Sequence, residues 1–493
     1  MAISFEQIPA SRREPGVYIE IDPSLAVRGL QGMPHRALIL GQKLSGGAAA
    51  VATPVLITDP EQAATAFGRG SMLHAMCVAF RRANTATELW AVACADGSGA
   101  VAAIKSVTIS KISGGSDFAA GTLSLWVGGR PIRVGVSAAD EPADVAARIV
   151  AAATDPMLPA TLAVDGVDAT QVNITARHAG AAGSLIDVRV NRNADETLPG
   201  NLAVAIATET AGATDPTIAA ALTAVEGEWW TEIVTPWLDS VNYGLLAGFL
   251  ADRFDAMDAR DGVGFAVLTG TVSALVTGAA SRNSPHVTVL PHQNSPTPTW
   301  EAAAAYAGVA AFQTQIDPAR QLRTLPLPGV LAPHVSDRFT PDEMDALLNN
   351  GVSSTRVIGG EVRLWRCVTT YTTSPAGADD PAFLDLTTLT LLAFLRWSET
   401  QRILLRFPRH KLANDGTRFG PGQAIVTPEI MRGELIALYA EWEEAGLVEN
   451  SDLFKELLIV ERDGGDPNRL NSLQTPDLIN NFRVFAARIQ FRL

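Results

Sequence analysis

The chain has 493 residues, of which 47% are hydrophobic and 18% charged, which excludes a disordered protein and leaves room for roughly three domains. Its formal net charge of -14 at pH 7 argues against a general role on nucleic acid or at a membrane surface. The three cysteines stand far apart, without metal-ligand or redox spacing, so we expect a reducing compartment.

The first predicted element is a β-strand at residues 16–22, which belongs to an acidic N-terminal arm. Val17, Ile19 and Ile21 share one face of this strand. A strand with a full apolar face needs a sheet to join, because its unpaired edge otherwise attracts other chains.

Residues 26–98 and 206–370 alternate short apolar strands with helices. This alternation predicts a mostly parallel sheet covered by helices. The predicted strands lie at 37–40, 55–57, 88–93, 232–234, 265–268 and 287–290, and the main predicted helices at 70–83, 215–226, 243–259 and 299–312.

Residues 99–205 interrupt this alternation and differ in composition. Beyond residue 100 they contain two aromatic side chains, Phe118 and Trp126, and are rich in Val, Ile, Thr and Ala. Two predicted strands flank Gly128-Gly129, a favourable hairpin turn. Further strands, one at 185–191, and a helix near 142–153 predict a strand-rich α+β domain inserted into the larger one.

The region after residue 370 is predicted to be a mainly helical α+β domain with divided charge. One helix is predicted from Pro381 to about Arg406, and a second one begins after Thr427 as N-cap. Between residues 396 and 418 six basic side chains oppose two acidic ones, whereas the second helix is acidic. Such faces can dock charged partners, or they can be two ordinary solvated faces.

The last predicted element is a β-strand at residues 482–493. Ile489, Phe491 and Leu493 point to one side and Arg488 to the other. The basic side chains of this tail complement the acidic arm at the start of the chain, so the tail of one chain can add to the sheet of another. The alternative is that both terminal strands pair inside their own chain.

Sequence motifs for catalysis are missing. The chain has no HExxH, GxSxG, GxGxxG or GxxxxGK[ST] motif, and its seven histidines show no metal-ligand spacing. We therefore expect no catalytic residue, no metal site, no cofactor and no enzymatic activity.

Several segments in order carry a family resemblance. They are Met1-Ala-Ile-Ser-Phe5, Pro15-Gly-Val-Tyr-Ile-Glu20, Gly32-Met-Pro34, Ala37-Leu-Ile-Leu-Gly41, Phe67-Gly-Arg-Gly-Ser-Met-Leu-His74, Thr87-Glu-Leu-Trp90 and, most specific, Asn481-Phe-Arg-Val-Phe-Ala-Ala-Arg-Ile-Gln-Phe491. Together they resemble contractile phage tail sheath proteins, especially the Mu-like branch, over most of the chain.

The resemblance implies a structural subunit. Such subunits stack as hexameric rings into a helical assembly around a tail tube, and their contraction drives the tube through the host envelope for genome delivery. The implied partners are copies of the chain itself, the tail tube protein, and baseplate and tail terminator proteins, with no nucleic acid and no membrane insertion. The implied location is the virion tail sheath, assembled in the bacterial cytoplasm.

The resemblance also implies a multidomain α/β fold whose core is subtilisin-like but not catalytic, with extended β-arms at both ends. The expected domains are an N-terminal arm (1–25), a core (26–98 plus 206–370), an outward-facing insert (99–205), a C-terminal domain (371–481) and an exchange strand (482–493). The expected strand-exchange residues are Val17, Tyr18, Ile19, Glu20, Ile21, Arg483, Val484, Arg488, Ile489, Phe491 and Leu493. The residues expected to face the tube are Arg396, Arg402, Arg406, Arg409 and Lys411.

Two alternatives remain open at this point. The chain could be the sheath of a tailocin or another contractile injection system, which the sequence does not separate from a phage sheath. It could also be a soluble α/β binding protein or enzyme with an unusual β-tail, which predicts a small oligomer and a dispensable C-terminus.

Overall fold

The computed structural model of this chain describes residues 14, 16–17, 30–112 and 116–492. Within them the backbone divides into two compact units, a larger one with residues 34–397 and 480–492 and a smaller one with residues 398–479 and the described residues up to Met33. Of the predicted strand at 16–22 only Gly16 and Val17 are described, and Val17 is exposed. The remaining residues of that prediction, among them Tyr18, Ile19, Glu20 and Ile21, lie outside the described residues, as does Leu493.

The larger unit begins with strands and helices whose ends are fixed by local sequence. Asp59 caps the first helix by accepting from the backbone N–H of Gln62, and Ser71 caps the second by accepting from the N–H of His74. These elements are β1 (Arg36–Gly41), β2 (Pro54–Leu56), α1 (Pro60–Phe67), α2 (Met72–Ala83) and β3 (Glu88–Ala93).

The described residues of the insert form two antiparallel sheets and one α-helix. Gly128 and Gly129, with φ of 55° and 75°, form the predicted turn between two of its strands. Its elements are β4 (Ala102–Lys111), β5 (Gly121–Val127), β6 (Arg130–Val136), α3 (Pro142–Ala152), β7 (Ala160–Val164), β8 (Gln171–Ala179), β9 (Val188–Val190) and β10 (Leu202–Thr210). The sheet orders are β10-β4-β8-β7 and β6-β5-β9.

The chain then returns to the first sheet. The elements are α4 (Ala219–Ala224), β11 (Glu232–Val234), α5 (Ser240–Phe254), β12 (Val263–Thr269), α6 (Val272–Ala280), β13 (Val287–His292) and α7 (Thr299–Ile316). The sheet has the order β13-β12-β11-β1-β3-β2, and every neighbouring pair is parallel except β2 and β3. Helix α7 is buried around most of its circumference, and most of its buried residues are alanines. A helix that is apolar on all sides belongs inside a core. The predicted mixed α/β class is confirmed.

Three sequence predictions in the larger unit are corrected. The strand predicted at 185–191 is reduced to β9, and the helix predicted at 215–226 is reduced to α4. The helix predicted from Pro381 begins later, as α9 (Leu386–Arg406), because the residues before it pair with the chain at Val368. A small antiparallel sheet of order β14-β16-β15 and one helix were not predicted: β14 (Pro326–Leu331), α8 (Pro341–Asn349), β15 (Ser354–Ile358) and β16 (Glu361–Arg366).

The smaller unit is built around one helix and three short strand pairs. Its elements are β17 (Lys411–Leu412), β18 (Ile425–Val426), α10 (Pro428–Glu444), β19 (Val448–Glu449), α11 (Ser451–Leu457), β20 (Ile459–Arg462), β21 (Leu470–Leu473) and β22 (Asp477–Leu478). Thr427 caps α10 as predicted, accepting from the N–H of Ile430. Tyr439 of α10 stacks on Phe454 of α11 with ring centroids 3.9 Å apart, which joins the two helices.

None of the helices in the described part of the chain combines the length and the apolar character that crossing a bilayer requires. Within the same residues no cluster of His, Cys, Asp or Glu side chains is suited to hold a metal ion.

Candidate assembly surfaces

The root of the C-terminal tail is bound firmly to the larger unit. The Asn481 side chain donates to the carbonyl of Ala319, and the Gln321 side chain donates to the carbonyl of Phe482 at 2.9 Å. Arg483 forms an ion pair of 2.9 Å with Asp385. The predicted exchange residue Arg483 therefore anchors the tail within its own chain.

Beyond Arg483 the tail leaves the surface. Residues 484–492 are in no strand and make no hydrogen bond or ion pair with the rest of the described chain. Val484, Ile489 and Phe491, three of the predicted exchange residues, are 80%, 88% and 79% exposed, and Phe485 is similarly exposed. Such a row of large apolar side chains on an unpaired backbone indicates a surface that a partner covers.

A hairpin in the smaller unit presents a second unpaired surface. Strands β20 and β21 pair with each other alone among the described residues. Ile459 and Leu473 face each other across this ladder and are 52% and 59% exposed. Because a two-stranded hairpin is marginally stable by itself, this pair is a suitable place for a further strand to join.

The basic residues of α9 and of the segment after it fall into two groups. Arg396 donates to the carbonyl of Phe254 and forms an ion pair of 3.1 Å with Asp261 inside the larger unit. Burial raises the pKa of the Asp261 carboxyl, and Arg396 partly opposes that shift. This arginine is therefore committed to a contact within its own unit.

Arg402 is likewise held inside the smaller unit. It is hydrogen-bonded to Glu434 and forms an ion pair of 3.0 Å with Glu441, both on α10. Burial alone would lower the pKa of Arg402, but the hydrogen bonds to the two glutamates raise it on balance. The charge division seen in the sequence is thus partly an internal contact between α9 and α10.

The remaining predicted tube-facing residues lie at the surface. Arg406 is about half exposed and 3.6 Å from Glu434, while Arg409 and Lys411 are exposed. The neighbouring Leu404 and Leu405 are 60% and 67% exposed. The end of α9 and the segment after it therefore combine exposed basic and apolar side chains, a composition suited to a protein partner.

Sequence reasoning missed a turn that occurs twice. Asp165 to Asn173 and Asp463 to Asn471 both read Asp-Gly-x-Asp-x-x-x-x-Asn, and the second turn closes the exposed hairpin. The shared spacing was the signal that could have revealed it.

Two family models and one full-length relative match this chain. The model of the phage tail sheath protein central domain matches residues 211–370, and that of the phage tail sheath C-terminal domain matches residues 378–492. The Mu-like prophage FluMu tail sheath protein of Haemophilus influenzae is 38% identical over 498 residues, which cover all of both chains.

Similarity to solved structures is weaker. The sheath tail protein of Listeria innocua matches with a TM-score of 0.49 and 13% identity, covering 92% of this chain and 94% of that one. The sheath tail protein of Desulfitobacterium hafniense matches with a TM-score of 0.47 and 14% identity, covering 94% and 100%. The full-length identity to the Haemophilus protein and the two family models confirm the resemblance seen in the sequence. The chain belongs to the phage tail sheath protein family.

Proposed function

We propose that this sheath protein polymerises as stacked hexameric rings around a tail tube and contracts to drive the tube through the host envelope. The observation that carries the proposal is the exposed apolar segment 484–492, which no part of the described chain covers. A subunit with a firmly anchored root and an uncovered tail is suited to stay linked to its neighbours while the bodies move between two packings.

In this proposal the tail adds as a strand to a sheet of a neighbouring subunit, and the N-terminal arm does the same. We place the receiving edge at the hairpin β20–β21, because its cross-strand pair Ile459 and Leu473 is exposed. Burying one large apolar side chain stabilises by about 1.5–3 kcal/mol, whereas one cross-strand charge pair contributes about 0.2–1 kcal/mol. The apolar face of the tail therefore dominates binding, and the opposite charges of the arms set partner and register.

We expect deletion of residues 482–493 to abolish assembly without unfolding the subunit. Negative-stain electron microscopy of the purified chain checks this, with hollow tubes and six-fold end views for the full-length protein only. A matched pair of point variants refines the test: Ile489→Asp should prevent tubes, whereas the adjacent Arg488→Ala should still form them. Tubes from the truncated chain would show that the tail does not link subunits, as the alternative of an enzyme with a dispensable tail predicts.

We also propose that the basic end of α9 faces the tube, through the exposed Arg406, Arg409 and Lys411 more than through the internally paired Arg396 and Arg402. This requires a negatively charged outer wall on the tube. Arg409→Glu should leave the melting temperature unchanged and reduce co-sedimentation with purified tubes about tenfold or more, because it replaces attraction by repulsion. Lys455→Glu, an equal charge change on α11, is the control and should bind normally. Equal tube binding by both variants would contradict the proposed orientation.

We also propose the domain organisation, the character of the core and the partners at the ends of the sheath. The expected core is supported by the sheet that joins β1–β3 with β11–β13. We place the end of the insert near Ala213 rather than at residue 205, because β10 continues to Thr210 and the backbones of Val101 and Ala213 pair. The subtilisin-like character of the core is supported by its neighbouring parallel strands. Baseplate and terminator proteins are the proposed partners at the ends of the sheath, which assembles in the bacterial cytoplasm.

A further inference from the structure

The larger unit contains a cavity of about 400 Å³ beside the carboxyl end of β13. Its walls come from β13, β14, the β15–β16 pair and α8. This volume lies within the range of small-molecule binding sites, and no part of the proposed assembly mechanism uses it.

Three residues that line the cavity each carry a buried polar atom without a hydrogen-bond partner in the described chain: His292 Nε2, Gln293 Oε1 and Arg338 Nε. The His292 side chain belongs to a residue that is only 6% exposed. Burial lowers the pKa of His292 to about 4, so its ring is neutral at pH 7 and can donate or accept one hydrogen bond. These three side chains add polar groups to the border of the cavity, next to its apolar wall.

The charges around the cavity favour an anion. Arg338 and Arg356 both line it, and neither has an ion-pair partner among the described residues. Asp345 is the one acidic residue among the lining residues that the structure describes. The guanidinium of Arg356 lies 4.9 Å from the ring centroid of Trp365, another lining residue, and this contact helps to hold it beside the cavity.

The rest of the wall is apolar and includes Phe339, Met344, Leu348, Val357 and Trp365. We propose that this cavity binds a small aromatic carboxylate, with the carboxylate at Arg338 and Arg356 and the ring among the apolar side chains. A guanidinium recognises a carboxylate by paired hydrogen bonds, and an apolar wall with a few converging polar groups is typical of such sites. The bound molecule would join α8 to the small antiparallel sheet.

The test is a ¹⁹F NMR titration of the full-length chain with 4-(trifluoromethyl)benzoate, using the uncharged 4-(trifluoromethyl)benzamide as the matched ligand. We expect saturable binding of one benzoate per chain and binding of the benzamide weaker by about tenfold or more, because a charge-assisted pair is lost. No saturable benzoate binding, or equal binding of the two ligands, would overturn the proposal.

Protein variants locate the bound probe. Arg338→Gln and Met344→Trp should each weaken benzoate binding by about tenfold, the first by removing the charge and the second by filling the cavity. Arg409→Gln, at the exposed end of α9, is the control and should bind as the wild type does. Met344→Trp can strain the unit by overpacking. Arg338→Gln is therefore the decisive variant, because Arg338 is partly exposed and its replacement adds no volume. Unchanged binding by Arg338→Gln would place the probe elsewhere and refute the site, whereas the sheath function would stand unaffected.

Discussion

The side chain of His178 lies where the insert meets the helix layer of the parallel sheet. Its Nε2 accepts a hydrogen bond of 2.9 Å from the backbone N–H of Met72, the first residue of α2. Burial lowers the pKa of His178 to about 4, an effect that Asp96 opposes and Arg177 strengthens. Protonation would remove the acceptor and place a cation at the positive end of a helix, so this contact requires a neutral ring.

We expect the chain to lose stability as the pH falls from 6.5, the ordinary pKa of histidine, to about 4. In that window the unfolded chain binds a proton at His178 and the folded chain does not, so the contribution is complete above it and is lost below. His178→Gln, which keeps an acceptor, should reduce the loss between about pH 7 and pH 5 by about 1–2 kcal/mol.

Urea unfolding at the two pH values, followed by tryptophan fluorescence, measures this difference. His410→Gln, at an exposed ring, serves as the control. His286 and His292, whose burial lowers each pKa to about 4, titrate in the same direction and are unchanged in both variants. An equal loss in the wild type and in His178→Gln would refute the assignment.

Single residues also show where sequence reasoning stops. The basic character of residues 396–411 is visible in the sequence, but the glutamates that hold Arg402 lie on another helix, and no local pattern connects them. Charge pairs between elements depend on packing, so a sequence can indicate a charged face without showing which of its charges are already paired.

At the level of elements, the same pattern of hydrogen bonds closes two different hairpins, β7–β8 in the insert and β20–β21 in the smaller unit. The Asp463 carboxylate accepts from the N–H groups of Gly465 and Asp466 and from the side chain of Asn471, each at 2.8 Å. Asp165 makes the matching contacts in the insert. The side-chain hydrogen bond from Asn471, followed by those from the backbone, lowers the pKa of Asp463 to about 2.

We expect Asn471→Ala to loosen the β20–β21 turn, because it removes one of the three donors to the Asp463 carboxylate. Hydrogen–deuterium exchange at neutral pH should become faster at Gly465 and Asp466, the two amides bound by that carboxylate. Asn468→Ala is the matched control, since its side chain makes no hydrogen bond within the described residues. Unchanged exchange in Asn471→Ala would show that the backbone alone holds the turn.

The elements differ in how far the sequence predicted them. Strands β1, β3, β12 and β13 and helix α10 were predicted because each combines an apolar run with clear end signals. The antiparallel sheet with β14 and β16 was missed, since Pro326 and Pro328 obscure its first strand and its pairs are irregular in register. The cavity was missed with it, because its walls come from five separate elements.

At the level of the whole molecule, the insert is joined to its core by more than its two connecting strands. The backbones of Val101 and Ala213 exchange hydrogen bonds of 3.0 and 3.1 Å at its base. Arg130 of the insert forms two hydrogen bonds, of 3.1 and 3.2 Å, with Glu301 of α7. We infer that the insert moves with the larger unit during contraction, so its proposed outward position would be the same in every subunit.

The proposed orientation can be tested by labelling introduced cysteines with maleimides, because the native cysteines are buried and react poorly. Cys77, Cys94 and Cys367 are buried, and burial raises the pKa of each thiol to about 12, so they react poorly with maleimides. Val167, at the tip of the β7–β8 hairpin, is 98% exposed. In assembled sheaths Val167→Cys should react with maleimide-biotin and bind streptavidin on the outer wall in electron micrographs. Arg409→Cys should react in dispersed subunits and be protected around a tube. The reverse pattern of protection would place the insert inside and the end of α9 outside.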